Sequence, residues 1–126
     1  MPAAKHRQQL AVDLLERGEL TVTAAGGSMA PTLPVGARVR VVAATVVTAG
    51  DVALLRVTAA PGFLLHRIVA RLPGGYLVHR GDAPGASAGL ARARDVLGRA
   101  DLPRRSVGTR ERMRGILAAL RARVIR

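Results

Sequence analysis

The chain has 126 residues, room for one domain around one hydrophobic core, and at 49% apolar content it is too hydrophobic to read as disordered. It has no cysteine, which excludes a thiolate nucleophile, a disulfide framework and a cysteine-ligated zinc site, and three scattered histidines offer little to a structural metal. The net charge of +12, with 20 basic residues against 8 acidic, suits an anionic partner such as nucleic acid, a membrane surface or an acidic protein.

Residues 3–17 carry Leu10 and Leu14, then Ala11 and Leu15, at helical spacing, with Gly18 where a C-terminal cap belongs. A short amphipathic helix is expected there. The basic start is not followed by the unbroken apolar segment of a secretory signal, and no later stretch approaches the roughly 18–20 apolar residues that span a bilayer. The expected location is therefore cytoplasmic, free or held peripherally at a membrane.

From Leu20 to Ala100 the pattern changes to short β-branched runs divided by Gly and Pro: Leu20–Ala24, Arg38–Ala43, Asp51–Thr58, Phe63–Arg71, Tyr76–Arg80 and Val96–Ala100. The apolar residues are mostly Ala, Val and Leu, which fit a pleated surface better than a large helical bundle. These runs predict a compact antiparallel β-domain, with residues 83–94 as an irregular loop and 101–107 as a polar hinge. Over 108–125 the sequence turns helical again. Met113, Ile116, Leu117, Leu120 and Val124 share one face there, and Arg110, Arg112, Arg114, Arg121, Arg123 and Arg126 lie on or beside the other. The expected organisation is a single domain: a mainly β core over 20–100 between two amphipathic helices.

The chemistry centres on Gly26-Gly27-Ser28-Met29-Ala30-Pro31-Thr32-Leu33. Paired glycines let backbone approach a substrate closely, and Pro31 fixes the chain just after the serine. Taken alone, Gly-Gly-Ser is ordinary loop sequence. A serine nucleophile also needs a base within hydrogen-bond reach. Lys5, the only lysine, and His6 both fall in the N-terminal helix, outside the β-core, which leaves His66 and His79. With Pro73-Gly74-Gly75 as a three-residue hairpin loop, Leu72 faces Tyr76. Carried straight down both strands, that register sets His66 opposite Asp82 and sends His79 to the other face. A two-residue loop would pair Asp82 with Arg67 instead.

At these residues the chain resembles the signal peptidases, in particular their serine/histidine form. Ser28-Met29-Ala30-Pro31-Thr32-Leu33 with Gly36 is similar to the nucleophile box, and Gly50-Asp51-Val52 to the next strand entry. His66-Arg67-Ile68-Val69 is similar to the general-base box, Arg80-Gly81-Asp82 to the box of the third member, and Val96-Leu97-Gly98-Arg99 to the closing strand. The resemblance spans about residues 20–100 and implies the β-rich catalytic core that this family shares with LexA-type autoproteases. It implies a serine endopeptidase acting on an extended precursor or leader segment, with small residues before the cut and no cofactor. Ser28 would be the nucleophile, His66 the base and Asp82 the group orienting the imidazole, with Gly26, Gly27, Ser28 and Met29 framing substrate and oxyanion.

The sequence also departs from that pattern. Gly26 stands where relatives often carry Ser, Ala83-Pro84-Gly85 follows Asp82 with no acid before Asp95, and the expected membrane anchor is missing. Two other readings stay open. One is a catalytically silent peptide-binding relative. The other is a basic nucleic-acid binder, disfavoured because only Phe63 and Tyr76 could stack on bases. The C-terminal helix either covers the sheet with its arginines in water or lies on an anionic membrane.

Overall fold

The computed structural model describes residues 14, 16–44, 46–58 and 62–125. The β-branched runs form strands where they are expected: β1 (Glu19–Thr23), β2 (Arg38–Ala43), β3 (Val52–Arg56), β4 (Phe63–Leu72), β5 (Tyr76–Arg80) and β7 (Val96–Ala100). A further strand, β6 (Ala88–Arg92), and a 3-10 turn (Ala93–Asp95) occupy the segment expected to be loop. β6 contains no β-branched residue. It is extended because it pairs with β5 from Tyr76↔Arg92 to Arg80↔Ala88, so pairing outweighs local propensity.

All seven strands belong to one antiparallel sheet in the order β1-β2-β7-β3-β4-β5-β6. Both faces of its centre are covered. On β3 and β4, Leu54↔Leu65 belongs to one core cluster with Val41, Met29 and Leu33, while Ala53, Leu55 and Ile68 belong to a second with Leu77 and Val96. Double coverage explains why β4 reads as a nearly continuous buried run instead of an alternating one.

The β4–β5 hairpin turns through Pro73-Gly74-Gly75, with φ of 82° at Gly74 and 77° at Gly75, left-handed values that glycine adopts without strain. The expected pairing holds from Leu72↔Tyr76 to Ala70↔Val78, then slips to Ile68↔His79 and Arg67↔Arg80. Val69 is the extra residue of a β-bulge, and the bulge changes which side chains meet further down.

The expected helix over 3–17 falls largely outside the described residues. Leu14, Glu16 and Arg17 are helical, and Gly18 ends the turn at φ 73° with its N–H donating to the Leu14 carbonyl at 2.8 Å. After the polar segment 101–108, helix α1 (Thr109–Ile125) packs against β4, β5 and β6. Gly115 and Ala119 form its buried side; a Cβ on Gly115 would lie 2.6 Å from Val69 Cγ2, so only glycine admits the bulged valine. Ile116 packs half-buried beside Gly115 and Ala119, whereas Met113, Leu117 and Leu120 point elsewhere and are 49%, 56% and 45% exposed. The side chain of Val124, and Arg126, lie outside the described residues.

Candidate active site

Ser28 sits in the turn between β1 and β2. Met29 and Leu33 anchor that turn in the core cluster beneath it, and the Ala30–Pro31 peptide is cis. The N–H of Ala30 donates to the Gly27 carbonyl at 3.1 Å and that of Leu33 to the Met29 carbonyl at 2.9 Å. The N–H groups of Ser28 and Met29 have no partner among the described residues. Gly26 and Gly27 do not have positive φ, and a Cβ on Gly26 would meet nothing among those residues. What glycine leaves at 26 and 27 is an open approach to the serine.

The turn is clasped onto the end of the β4–β5 hairpin. The Ala83 N–H donates to the Ser28 carbonyl at 2.9 Å, and the Thr32 hydroxyl donates to Asp82 Oδ2 at 2.7 Å. Gly81 lies so close beneath Ser28 that a Cβ there would stand 2.3 Å from the Ser28 carbonyl oxygen. The β4–β5 ladder ends at Arg67↔Arg80, so the serine turn meets the hairpin at its Gly81 end, one residue beyond the last pair on the side where His66 follows on β4. No hydrogen bond joins the Ser28 hydroxyl to His66 among the described residues.

Asp82 and His66 do not form the pair that the straight register predicts. After the bulge at Val69, Arg67 and Asp82 share a side: Arg67 Nε donates to Oδ1 at 3.0 Å and Nη2 to Oδ2 at 2.5 Å. Both side chains are buried, and Arg67 Nη1 also donates to the Gly50 carbonyl at 2.8 Å. Burial pushes the Asp82 carboxyl up. The hydrogen bonds from Arg67 and Thr32, helped by the Arg67 and Arg105 charges, outweigh it and hold the group below its ordinary value. Asp82 thus ties the serine turn to β4 and does not touch the imidazole.

The partner of His66 is His79. The bulge brings both to one side, with His66 Nδ1 and His79 Nδ1 2.9 Å apart and the rings 5.1 Å between centroids. This corrects the expectation that His79 faces away. His66 is 2% and His79 8% exposed, and no other hydrogen bond to either ring occurs among the described residues. Gly89 on β6 makes room for the pair, since a Cβ there would stand 2.9 Å from the His79 ring atoms Cε1 and Nε2. Burial lowers both pKa values to about 4; for His66 the neighbouring His79 lowers it further while the Asp82 charge opposes. Both rings are neutral at pH 7, so the bond between them has one Nδ1–H donor and one Nδ1 acceptor.

A cavity of about 640 Å³ is lined by both imidazoles together with Phe63, Leu64, Leu90 and Ala119, among others. Among the described residues no group of three or more His, Cys, Asp or Glu side chains converges as metal ligands would. His79 could have been weighed as the partner only if the bulge were visible, and Val69 carries no turn chemistry that marks one. No protein-family model matches the chain, and neither curated proteins nor solved structures offer a match.

Proposed function

We propose that this protein is a serine endopeptidase in which Ser28 attacks the scissile carbonyl and His66 Nε2 takes the serine proton. The observation that carries the reading is the meeting, at the Gly81 end of the β4–β5 hairpin, of the serine turn and the hairpin bearing a buried, neutral histidine. A neutral imidazole with Nδ1 already engaged has Nε2 left to act as base. For that, His66 must carry its proton on Nδ1 and donate it to His79 Nδ1. His79 is then the positioning residue that fixes the tautomer, the task a carboxylate performs in a Ser-His-Asp triad. Asp82 acts at one remove: it anchors the turn through Thr32, and its charge favours the imidazolium that forms during attack.

The N–H groups of Ser28 and Met29, without a partner among the described residues, are the natural donors to the oxyanion, and Gly26 and Gly27 keep the approach open. The cavity beside the histidine pair has Phe63, Leu64, Leu90 and Ala119 in its wall along with the charged Arg56, Asp95 and Arg123, and it offers apolar ground for small residues of an extended segment, although Ser28 is not in its lining. β6 lies at the sheet edge, where such a segment can add as a further strand. The substrate class is accordingly an exposed peptide stretch of a precursor or leader.

The test is single-turnover cleavage of a peptide library carrying Ala-x-Ala sites, with nitrogen NMR of the His66 ring alongside. Ser28→Ala abolishes cleavage, and His66→Ala lowers the rate by about 10²–10⁴. His79→Ala lowers kcat with little change in KM and removes the Nδ1–H signature of His66. Undiminished cleavage in Ser28→Ala or His66→Ala refutes the mechanism. An Nε2–H tautomer for His66 in the wild type refutes the role of His79 while leaving the nucleophile standing. A second reading, a peptide-binding domain without turnover, is favoured by one observation: the Asp82 carboxylate is committed to Arg67 and Thr32. It predicts peptide binding that is equal in wild type and Ser28→Ala, with no product from either.

A further inference from the structure

Helix α1 is built inside out for a helix that covers a sheet. Its most deeply buried residues are small, Gly115 and Ala119, with Ile116 half-buried beside them, and its large apolar residues Met113, Leu117 and Leu120 are 49%, 56% and 45% exposed. At about 3.6 residues per turn, those three fall in one stripe almost diametrically opposite the docked side. Arg110, Arg114 and Arg121 run along one flank of the stripe, while Arg112 and Arg123 lie nearer the docked side, Arg123 at the histidine cavity; all five are exposed. The helix's one acidic residue, Glu111, is held by Arg105 at 2.6 and 2.8 Å and leaves the flanking cations uncompensated.

An outward apolar stripe bordered along one flank by three arginines is the layout of a helix that rests in a lipid headgroup region. The stripe meets the acyl boundary, and the long side chains reach back to phosphate. We infer that α1 docks the protein on an anionic membrane surface, with Met113, Leu117 and Leu120 inserted and the flanking arginines on the headgroups. Charge decides between occupants. A second copy of this chain would bring the same arginines against these, on a protein of net charge +12, whereas an anionic bilayer complements them. No helix among the described residues is long and apolar enough to cross a membrane, so the attachment is one-sided and reversible. The inference is independent of the peptidase reading, because the stripe lies on the side of α1 away from the sheet.

The experiment is co-sedimentation of the full chain with vesicles of pure phosphatidylcholine and with vesicles in which about one lipid in three is phosphatidylserine. Binding is expected to the second kind only and to weaken as salt rises. Leu117→Asp should reduce partitioning about tenfold or more, and Arg114→Gln about fivefold. These positions are exposed, so circular dichroism should show unchanged folding, and Ala118→Ser serves as a control that keeps full binding. Equal binding to both vesicle kinds, no binding to either, or Leu117→Asp binding like the wild type would each overturn the inference. So would concentration-dependent self-association that Leu117→Asp abolishes, since a second copy would then cover the stripe.

Discussion

Replacing Asp82 by alanine isolates what the carboxylate does. In the folded protein it accepts two hydrogen bonds from Arg67 and one from Thr32, and the Arg67 and Asp82 side chains are 3% and 8% exposed. Without it the guanidinium stays buried with a single remaining partner, the Gly50 carbonyl. Breaking a buried ion pair from one side costs about 3–5 kcal/mol, because the surviving charge is left uncompensated. A domain of this size has roughly 5–15 kcal/mol in all, so the variant should be close to unfolding. Urea unfolding followed by circular dichroism measures this, and with a slope of about 1–3 kcal/mol per molar the midpoint should fall by more than 1 M. Replacing both partners by apolar residues of similar volume, Arg67→Met with Asp82→Leu, should recover most of the loss. A single variant within about 1 kcal/mol of wild type, or a double variant no better than the single one, refutes the assignment of Asp82 as a buried clasp.

Two further outcomes follow from the same side of the molecule. His66 and His79 have pKa values lowered to about 4 from 6.5, so between those values the unfolded chain binds more protons than the folded one. Stability should therefore fall as pH drops from 6.5 towards 4, by on the order of 3 kcal/mol for each ring; loss of stability confined to lower pH, where Asp82 takes up its proton, would contradict neutral burial of the pair. In Gly115→Ala the new methyl meets Val69 Cγ2 at 2.6 Å, and overpacking of this kind costs about 1–3 kcal/mol. Adding Val69→Ala should restore amide hydrogen-exchange protection in α1, and unchanged protection in Gly115→Ala alone would show that the helix does not rest on the bulge.

The strands were legible where β-branched residues ran between Gly and Pro, and the hairpin loop Pro73-Gly74-Gly75 follows from its glycines. β6 was not legible, since Ala88-Gly89-Leu90-Ala91-Arg92 has no strand signal of its own and is held by its ladder to β5. The bulge at Val69 was hidden for a related reason: it is matched by Gly115 on a helix far along the chain. That single residue exchanges the neighbours of His66, giving it His79 where a straight register gives Asp82. The serine turn does come to the end of the hairpin that holds Asp82, but it does so through backbone, by way of Gly81 and Ala83, which no side-chain pattern reveals. Likewise, periodicity identifies the apolar stripe of α1 but not which way it faces. The packing of Gly115 decides that.

The place of β7 in the sheet has a consequence for how the protein assembles. The serine belongs to the β1–β2 unit and the histidine pair to the β3–β6 meander, and in the ladder only β7 hydrogen-bonds to both β2 and β3. A nascent chain that has not yet delivered residues 96–100 has two sheet fragments with no strand ladder between them. Contacts this distant in sequence form late. Synthesis therefore supplies its own delay, in which the serine turn and the histidine pair are made early but the ladder joining their halves closes only when the last strand threads between them.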